Sequence, residues 1–188
     1  MKKKIIITGG LGYIGTELCK LYSGVSWHHE IIVIDNRFIS ERVNQIRNWN
    51  MEFIQGDILD KDLIKNICKD ADVVHHLAGI TDVPRTQSES SKYQDEKINE
   101  VGKQGTQNIL DCISDKCKII FPSTHVVYEG IKEVITDIKE DKDMKPILSY
   151  SSSKAINENQ LKKSGKNYVI LRLGSVYGYS TDSMRIDI

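Results

Sequence analysis

The residues Thr8-Gly9-Gly10-Leu11-Gly12-Tyr13-Ile14-Gly15 follow three isoleucines, Ile5 to Ile7, and lead into a stretch with helical patterning. Glycines at this spacing permit a tight turn in which the backbone itself approaches an anion. The free N–H groups and the positive end of the following helix then hold a pyrophosphate, with Gly9, Gly12, Tyr13, Ile14 and Gly15 as the expected contacts. Asp35 stands 20 residues beyond Gly15, at the end of a second apolar run, and Asn36 follows it. A carboxylate at that separation is placed to hydrogen-bond the ribose of an adenosine. It also repels a 2′-phosphate, which favours NAD over NADP, and Arg37 weakens that preference without reversing it. The bland alternative is a tight turn that binds no nucleotide.

Such a site needs strands that end together along one edge of a sheet. Short β-branched apolar runs at 5–8, 31–35, 51–54, 73–77, 118–123 and 168–172 are the expected strands. Helical patterns lie between them at 12–23, 40–49, 60–69, 92–114 and 151–164. This alternation predicts an α/β fold, a Rossmann doubly wound parallel sheet with helices on both faces. Two polar loops break the rhythm, 81–91 with Pro84 and 129–148 with Pro146. Loops of that length in a compact α/β domain more often wall an active site than link domains.

Composition narrows the partners. With 188 residues, 39% hydrophobic and 28% charged, the chain is long enough for one domain with a sizeable core. Its 26 Lys and Arg balance 26 Asp and Glu, which removes the electrostatic case for nucleic acid or an anionic membrane as partner. The apolar run after Lys4 is too short for a signal peptide, and no stretch approaches the ~20 apolar residues of a membrane helix. A cytoplasmic location is expected. Cys19, Cys68, Cys112 and Cys117 lack any Cys-x-x-Cys pair, and the histidines lack zinc-ligand spacing. Buried thiols and no metal site are expected.

The Gly9-x-x-Gly12-x-x-Gly15 pattern resembles the extended short-chain dehydrogenase/reductase family, which includes the nucleotide-sugar epimerases and dehydratases. The resemblance runs over nearly the whole chain. Gly56-Asp57-Ile58 is similar to the family's adenine-contacting segment, and His76-Leu77-Ala78-Gly79 to the segment lining the pyrophosphate and ribose. Ser123-Thr124 with Val127-Tyr128 resembles the fifth-strand catalytic motif, and Arg172 with Val176-Tyr177-Gly178 the stretch after strand six. The resemblance implies NAD as cofactor and a nucleotide sugar as substrate. It also implies a homodimer paired through the helices at 92–114 and 151–164. In this family a substrate-binding domain follows, so residues 1–188 are expected to be the NAD-binding domain of a longer chain.

The family's catalytic signature is Tyr-x-x-x-Lys, and twenty lysines with eight tyrosines predict about one such pair by chance. The chain holds three: Tyr93/Lys97, Tyr128/Lys132 and Tyr150/Lys154. Position decides among them. Tyr150 and Lys154 open a helix after the fifth strand, where i and i+4 share one face. Tyr93 sits in the wrong βα unit, and Tyr128 belongs to the fifth-strand motif. The resemblance therefore assigns catalysis to Thr124, Tyr150 and Lys154, with Ser123, Tyr150 and Lys154 also facing the cofactor. A tyrosine that acts as base near neutrality needs its pKa lowered by roughly 3 units, on the order of 4 kcal/mol. Lys154 and the nicotinamide cation are the expected sources.

Family dehydratases place Asp-Glu directly after the catalytic threonine, where His125 and Val126 stand here. Valine transfers no proton, so hydride abstraction and return at a sugar hydroxyl carbon, as in the 4-epimerases, is the favoured expectation. A reductase, a dehydratase and a non-catalytic NAD-binding sensor or scaffold remain as alternatives. Three departures bear on substrate identity. Gly102 replaces an Asn (Asn99 lies one turn earlier), Ser175 replaces an Asn, and Tyr179 replaces a Pro.

Overall fold

The computed structural model describes residues 1–81 and 91–178. The interior of the 81–91 loop, with Pro84, and Tyr179 lie outside the described residues. Strands β1 (Lys4–Thr8), β2 (Glu30–Asp35), β3 (Glu52–Gln55), β4 (Val73–His76), β5 (Lys118–Thr124) and β6 (Asn167–Leu173) form one parallel sheet. Helices α1 (Tyr13–Ser23), α2 (Ser40–Asn48), α3 (Lys61–Cys68), α4 (Lys92–Cys112) and α5 (Ser149–Lys163) connect them. The strand order is β3-β2-β1-β4-β5-β6. The order reverses between β1 and β4, which is where open α/β sheets bind ligands beyond the carboxyl ends of their strands.

Alternation along the strands splits the core. Ile6, Ile32, Ile34, Val74, Ile119 and Phe121 pack on one face with Ile64, Ile109 and Leu161 of α3, α4 and α5. Ile5, Ile7, Ile31 and Val33 pack on the other with Cys19, Val43 and Ile46 of α1 and α2. Cys19, Cys68 and Cys117 are buried and Cys112 is half-buried, all as free thiols. Among the described residues, no helix is long and apolar enough to cross a membrane.

Strand boundaries match the expected ones to within a residue or two. The largest helix differences are two residues: α4 ends at Cys112 rather than 114, and α5 begins at Ser149 rather than 151. The approach to α5 is fixed by a distant acid: Oε1 of Glu129 accepts the N–H groups of Ile147 and of the N-cap residue Leu148, each at 2.7 Å, and the Ser151 hydroxyl. A carboxylate here satisfies donors that the helix cannot bond internally. The 129–148 loop has no regular element of its own but is tied down at its base. Gly130 N–H donates to Lys145 C=O and Lys145 N–H to Val127 C=O, each at 2.8 Å.

Candidate active site

The glycine turn is built by backbone proximity. Gly9 has a φ of +70°, and a Cβ there would sit 2.7 Å from the Ala78 nitrogen. A Cβ on Gly15 would lie 2.3 Å from the Gly9 carbonyl oxygen. The first bond within α1 runs from Thr16 N–H to Gly12 C=O at 2.9 Å, and no side chain caps the helix at Gly12. The N–H groups of Tyr13, Ile14 and Gly15 therefore precede the hydrogen-bonded ladder and point out of its positive end.

Asp35 is buried at the end of β2, where its carboxylate stitches the turn to the following loop. Oδ2 accepts the Leu11 N–H at 3.0 Å, and Oδ1 accepts the Arg37 N–H at 3.0 Å and Arg37 Nε at 3.2 Å. Arg37 thus partly neutralises the acid, while Arg42 donates to the Leu11 carbonyl from α2. Beyond them the Asn36 amide donates to Asp57 at 3.1 Å, and the other Asp57 oxygen accepts the Leu59 N–H at 2.9 Å. These bonds bring the Asp35-Asn36 and Asp57-Ile58 segments together on one rim. The Ile58 side chain itself is buried under Gly105 of α4.

The end of β4 abuts the glycine turn through Thr8. Its hydroxyl accepts the Ala78 N–H at 3.1 Å and lies 2.9 Å from His76 Nδ1, whose Nε2 lies 3.1 Å from the Thr106 hydroxyl. Burial, reinforced by Lys154, pushes the His76 pKa down to about 3, so the imidazole is neutral. Leu77 and Ala78 are thereby fixed against Gly9, and Gly79 is exposed beyond them.

Lys154 is buried beneath the end of β5. Its ammonium donates to the Pro122 carbonyl at 2.9 Å, lies 4.5 Å from the Phe121 ring centre and 6.0 Å from that of Tyr150. Burial lowers its pKa to about 8, which leaves it mostly cationic at neutral pH. Thr124 ends the same strand, with its hydroxyl accepting the Val126 N–H at 3.3 Å. The two rival tyrosines are placed differently. Tyr93 is exposed at the start of α4, while the Tyr128 hydroxyl accepts from Arg172 and donates to the Lys139 carbonyl at 3.3 Å. Burial raises the Tyr128 pKa, the wrong direction for a base.

A match to the NAD dependent epimerase/dehydratase family covers residues 5–187. The chain belongs to this family. A dTDP-D-glucose 4,6-dehydratase of Dictyostelium discoideum is 32% identical over 94% of the chain and 44% of its own length. A UDP-glucose 4-epimerase of Neisseria meningitidis serogroup C is 30% identical over 85% of the chain and 47% of its own length. The crystal structure of a UDP-glucuronic acid 4-epimerase from Bacillus cereus, in complex with UDP-glucuronic acid and NAD, superposes with a TM-score of 0.72 at 29% identity, over 90% of this chain and 55% of that one. The chain therefore spans about half the length of these relatives.

NAD is the cofactor of this epimerase/dehydratase family, and the residues present fit it. The uncapped first N–H groups of α1 are donors awaiting an anion, next to a β2 that ends in a carboxylate. One family departure has a steric account. A Cβ on Gly102 would lie 2.1 Å from the Ser153 hydroxyl of α5, so any side chain at 102 requires that hydroxyl to move. Asn99 instead bonds the Asp95 carbonyl of its own helix at 2.9 Å.

The sequence does not reveal the roles of three side chains. Glu129 caps the approach to α5, His76, which opens the segment at 76–79, holds β4 to β1, and Glu158 is buried with no exposed side-chain surface. Glu158 accepts the Ser123 hydroxyl at 2.7 Å, so that hydroxyl faces α5. The one available signal was spacing, because Glu158 repeats the Tyr150–Lys154 interval by another four residues. The partners of Glu129 and His76 are far away in sequence, and no local pattern marks them.

Proposed function

We propose that the longer protein containing this chain is an NAD-dependent nucleotide-sugar epimerase, with residues 1–188 as its cofactor domain. The observation that carries this reading is the Lys154 ammonium, held under the end of β5 by the Pro122 carbonyl and 6.0 Å from the Tyr150 ring centre. A cation held in a poorly solvated place beside the phenol ring favours the ionised form, which is the direction a neutral-pH tyrosinate requires.

In this reading Tyr150 removes the proton of the reacting sugar hydroxyl, and Thr124 hydrogen-bonds the same oxygen. Bound NAD supplies the site that accepts and returns hydride. Tyr150 returns its proton when the keto-sugar is reduced on the opposite face. Gly9, Gly12, Tyr13, Ile14 and Gly15 hold the pyrophosphate. Asp35 takes the adenosine ribose, with Asn36, Asp57 and Ile58 around the adenine. Leu77, Ala78, Gly79 and Lys154 line the nicotinamide side, with Ser123 contributing through its backbone because its hydroxyl is held by Glu158. Val126, after Thr124, supports epimerisation over 4,6-dehydration because it carries no acid. Four free thiols support a reducing, cytoplasmic setting. The outward faces of α4 and α5, which expose Tyr93 and Ile156, are the proposed homodimer surface.

The test is direct. Full-length protein is denatured and the released small molecules identified by mass spectrometry, and native protein is incubated with UDP-sugars and followed by NMR. NAD and epimer interconversion are expected. NAD without turnover of any sugar would replace this reading with a binding role, and NADP would show that Arg37 outweighs Asp35.

A further inference from the structure

Helix α5 places Tyr150, Lys154 and Glu158 at i, i+4 and i+8, one stripe along its sheet-facing side. The stripe meets two consecutive residues near the end of β5: the Lys154 ammonium donates to the Pro122 carbonyl, and Glu158 accepts the Ser123 hydroxyl. Glu158 is also gripped from β6. Arg172 Nε donates to Oε1 at 2.9 Å and Nη2 to Oε2 at 2.6 Å, a two-point clamp, with Lys162 3.5 Å from Oε2. The remaining arm of Arg172 donates to the Tyr128 hydroxyl and to the Glu140 carbonyl at 2.7 Å. One buried carboxylate therefore joins α5, β5, β6 and the 129–148 loop.

We propose that Glu158, clamped by Arg172, is a positioning residue that sets the register of α5 on β5 and so the placement of Lys154 against Tyr150. Through Arg172 it ties that register to the loop that walls the substrate side. The proposal rests on the catalytic reading of Tyr150 and Lys154. A fork of two parallel bonds fixes orientation where a single ammonium does not. Apolar contacts are non-directional and set no register by themselves, whereas hydrogen bonds do. Two adjacent polar bonds to β5 set it here.

The test uses the full-length, NAD-loaded protein and reads Tyr150 itself. Tyrosinate absorbance at 295 nm is titrated for wild type and for Tyr150→Phe, and the difference isolates Tyr150. Glu158→Gln keeps the shape and the Ser123 bond but leaves Arg172 without its counter-charge. Arg172→Lys keeps the charges but loses the fork, and it decides the matter if Glu158→Gln fails to fold. In either variant the Tyr150 titration is expected to move upward by about one unit, a tenfold change in its ionisation constant. A folded variant whose stability falls while Tyr150 titrates as in wild type overturns the proposal and leaves Glu158 a purely structural role. Turnover of UDP-sugars is measured in parallel: loss of kcat with little change in KM is expected. If wild type itself turns over nothing, the functional reading fails, while the 295 nm titration still decides the positioning role.

Discussion

The two ends of the proposed cofactor site are built by opposite means. At the β1–α1 turn the determinants are atoms that are missing: no Cβ at Gly9 or Gly15, and no side chain capping α1 at Gly12. At the β5–α5 end the determinants are charges that are present: Lys154 and Glu158, both buried, and the half-buried Arg172, each satisfied by named partners. The first end recognises a fixed charge and needs only shape. In the proposed reaction the second changes the proton affinity of a phenol, and a charge held in a poorly solvated place does that strongly. Steric changes should therefore break the turn, and changes of charge or pH the catalytic end.

Removing the base is expected to have the largest effect. Tyr150→Phe in the full-length enzyme should lower turnover about a thousandfold while the bound NAD, measured by mass spectrometry, stays at the wild-type level. Activity that survived would return attention to Tyr93 or Tyr128. Gly15→Ala tests the other end. Its methyl meets the Gly9 carbonyl and the Gly10 backbone, so NAD content should fall sharply and urea denaturation should show a loss of about 2 kcal/mol.

The pH response sharpens the contrast further. Lys154 has a folded pKa of about 8 against the usual lysine value of 10.5. Its charge aids Tyr150 below about 8 and is lost above, so turnover should drop on that alkaline side in a rate profile. Stability has the opposite sign. Between about 8 and 10.5 the unfolded chain binds the proton more tightly, so the contribution of Lys154 to stability should rise with pH, and Lys154→Met should flatten that rise in denaturation curves. The smallest effect is expected at Asp35. Asp35→Ala removes the acceptor of the Leu11 N–H and the partner of Arg37, so NAD should bind about tenfold more weakly and NADP be better tolerated. An unchanged preference in cofactor titrations would remove the ribose assignment.

Much of the fold is legible in the chain because its signals are local. Six β-branched runs alternate with helical segments, and each became a strand of the parallel sheet to within a residue or two. Glycine spacing followed by a helix marks the turn within eight residues, although the Ala78 backbone that crowds Gly9 comes from just beyond the end of β4. Tyr150 and Lys154 were separable from two other Tyr-x-x-x-Lys pairs only by their place after the fifth strand. The start of α5 is less legible, because the acid that fixes the chain entering it is Glu129, twenty residues before the Ser149 that opens the helix.

By itself, then, the sequence determined the α/β architecture, the glycine turn and the acid at the end of β2, which are marked by periodicity and spacing, and it singled out Tyr150 and Lys154 as the proposed catalytic pair by their place after the fifth strand. Only the tertiary structure decided that Tyr128 is held by Arg172 and that His76 is a buried neutral link between β1 and α4. It alone showed Glu158 joining α5 to β5 and β6. These assignments depend on which polar groups meet when strands far apart in the chain are brought side by side. A buried charge is stable only with partners that satisfy it. A charged residue looks the same in sequence whether it faces water or such a partner, and the fold supplies the difference.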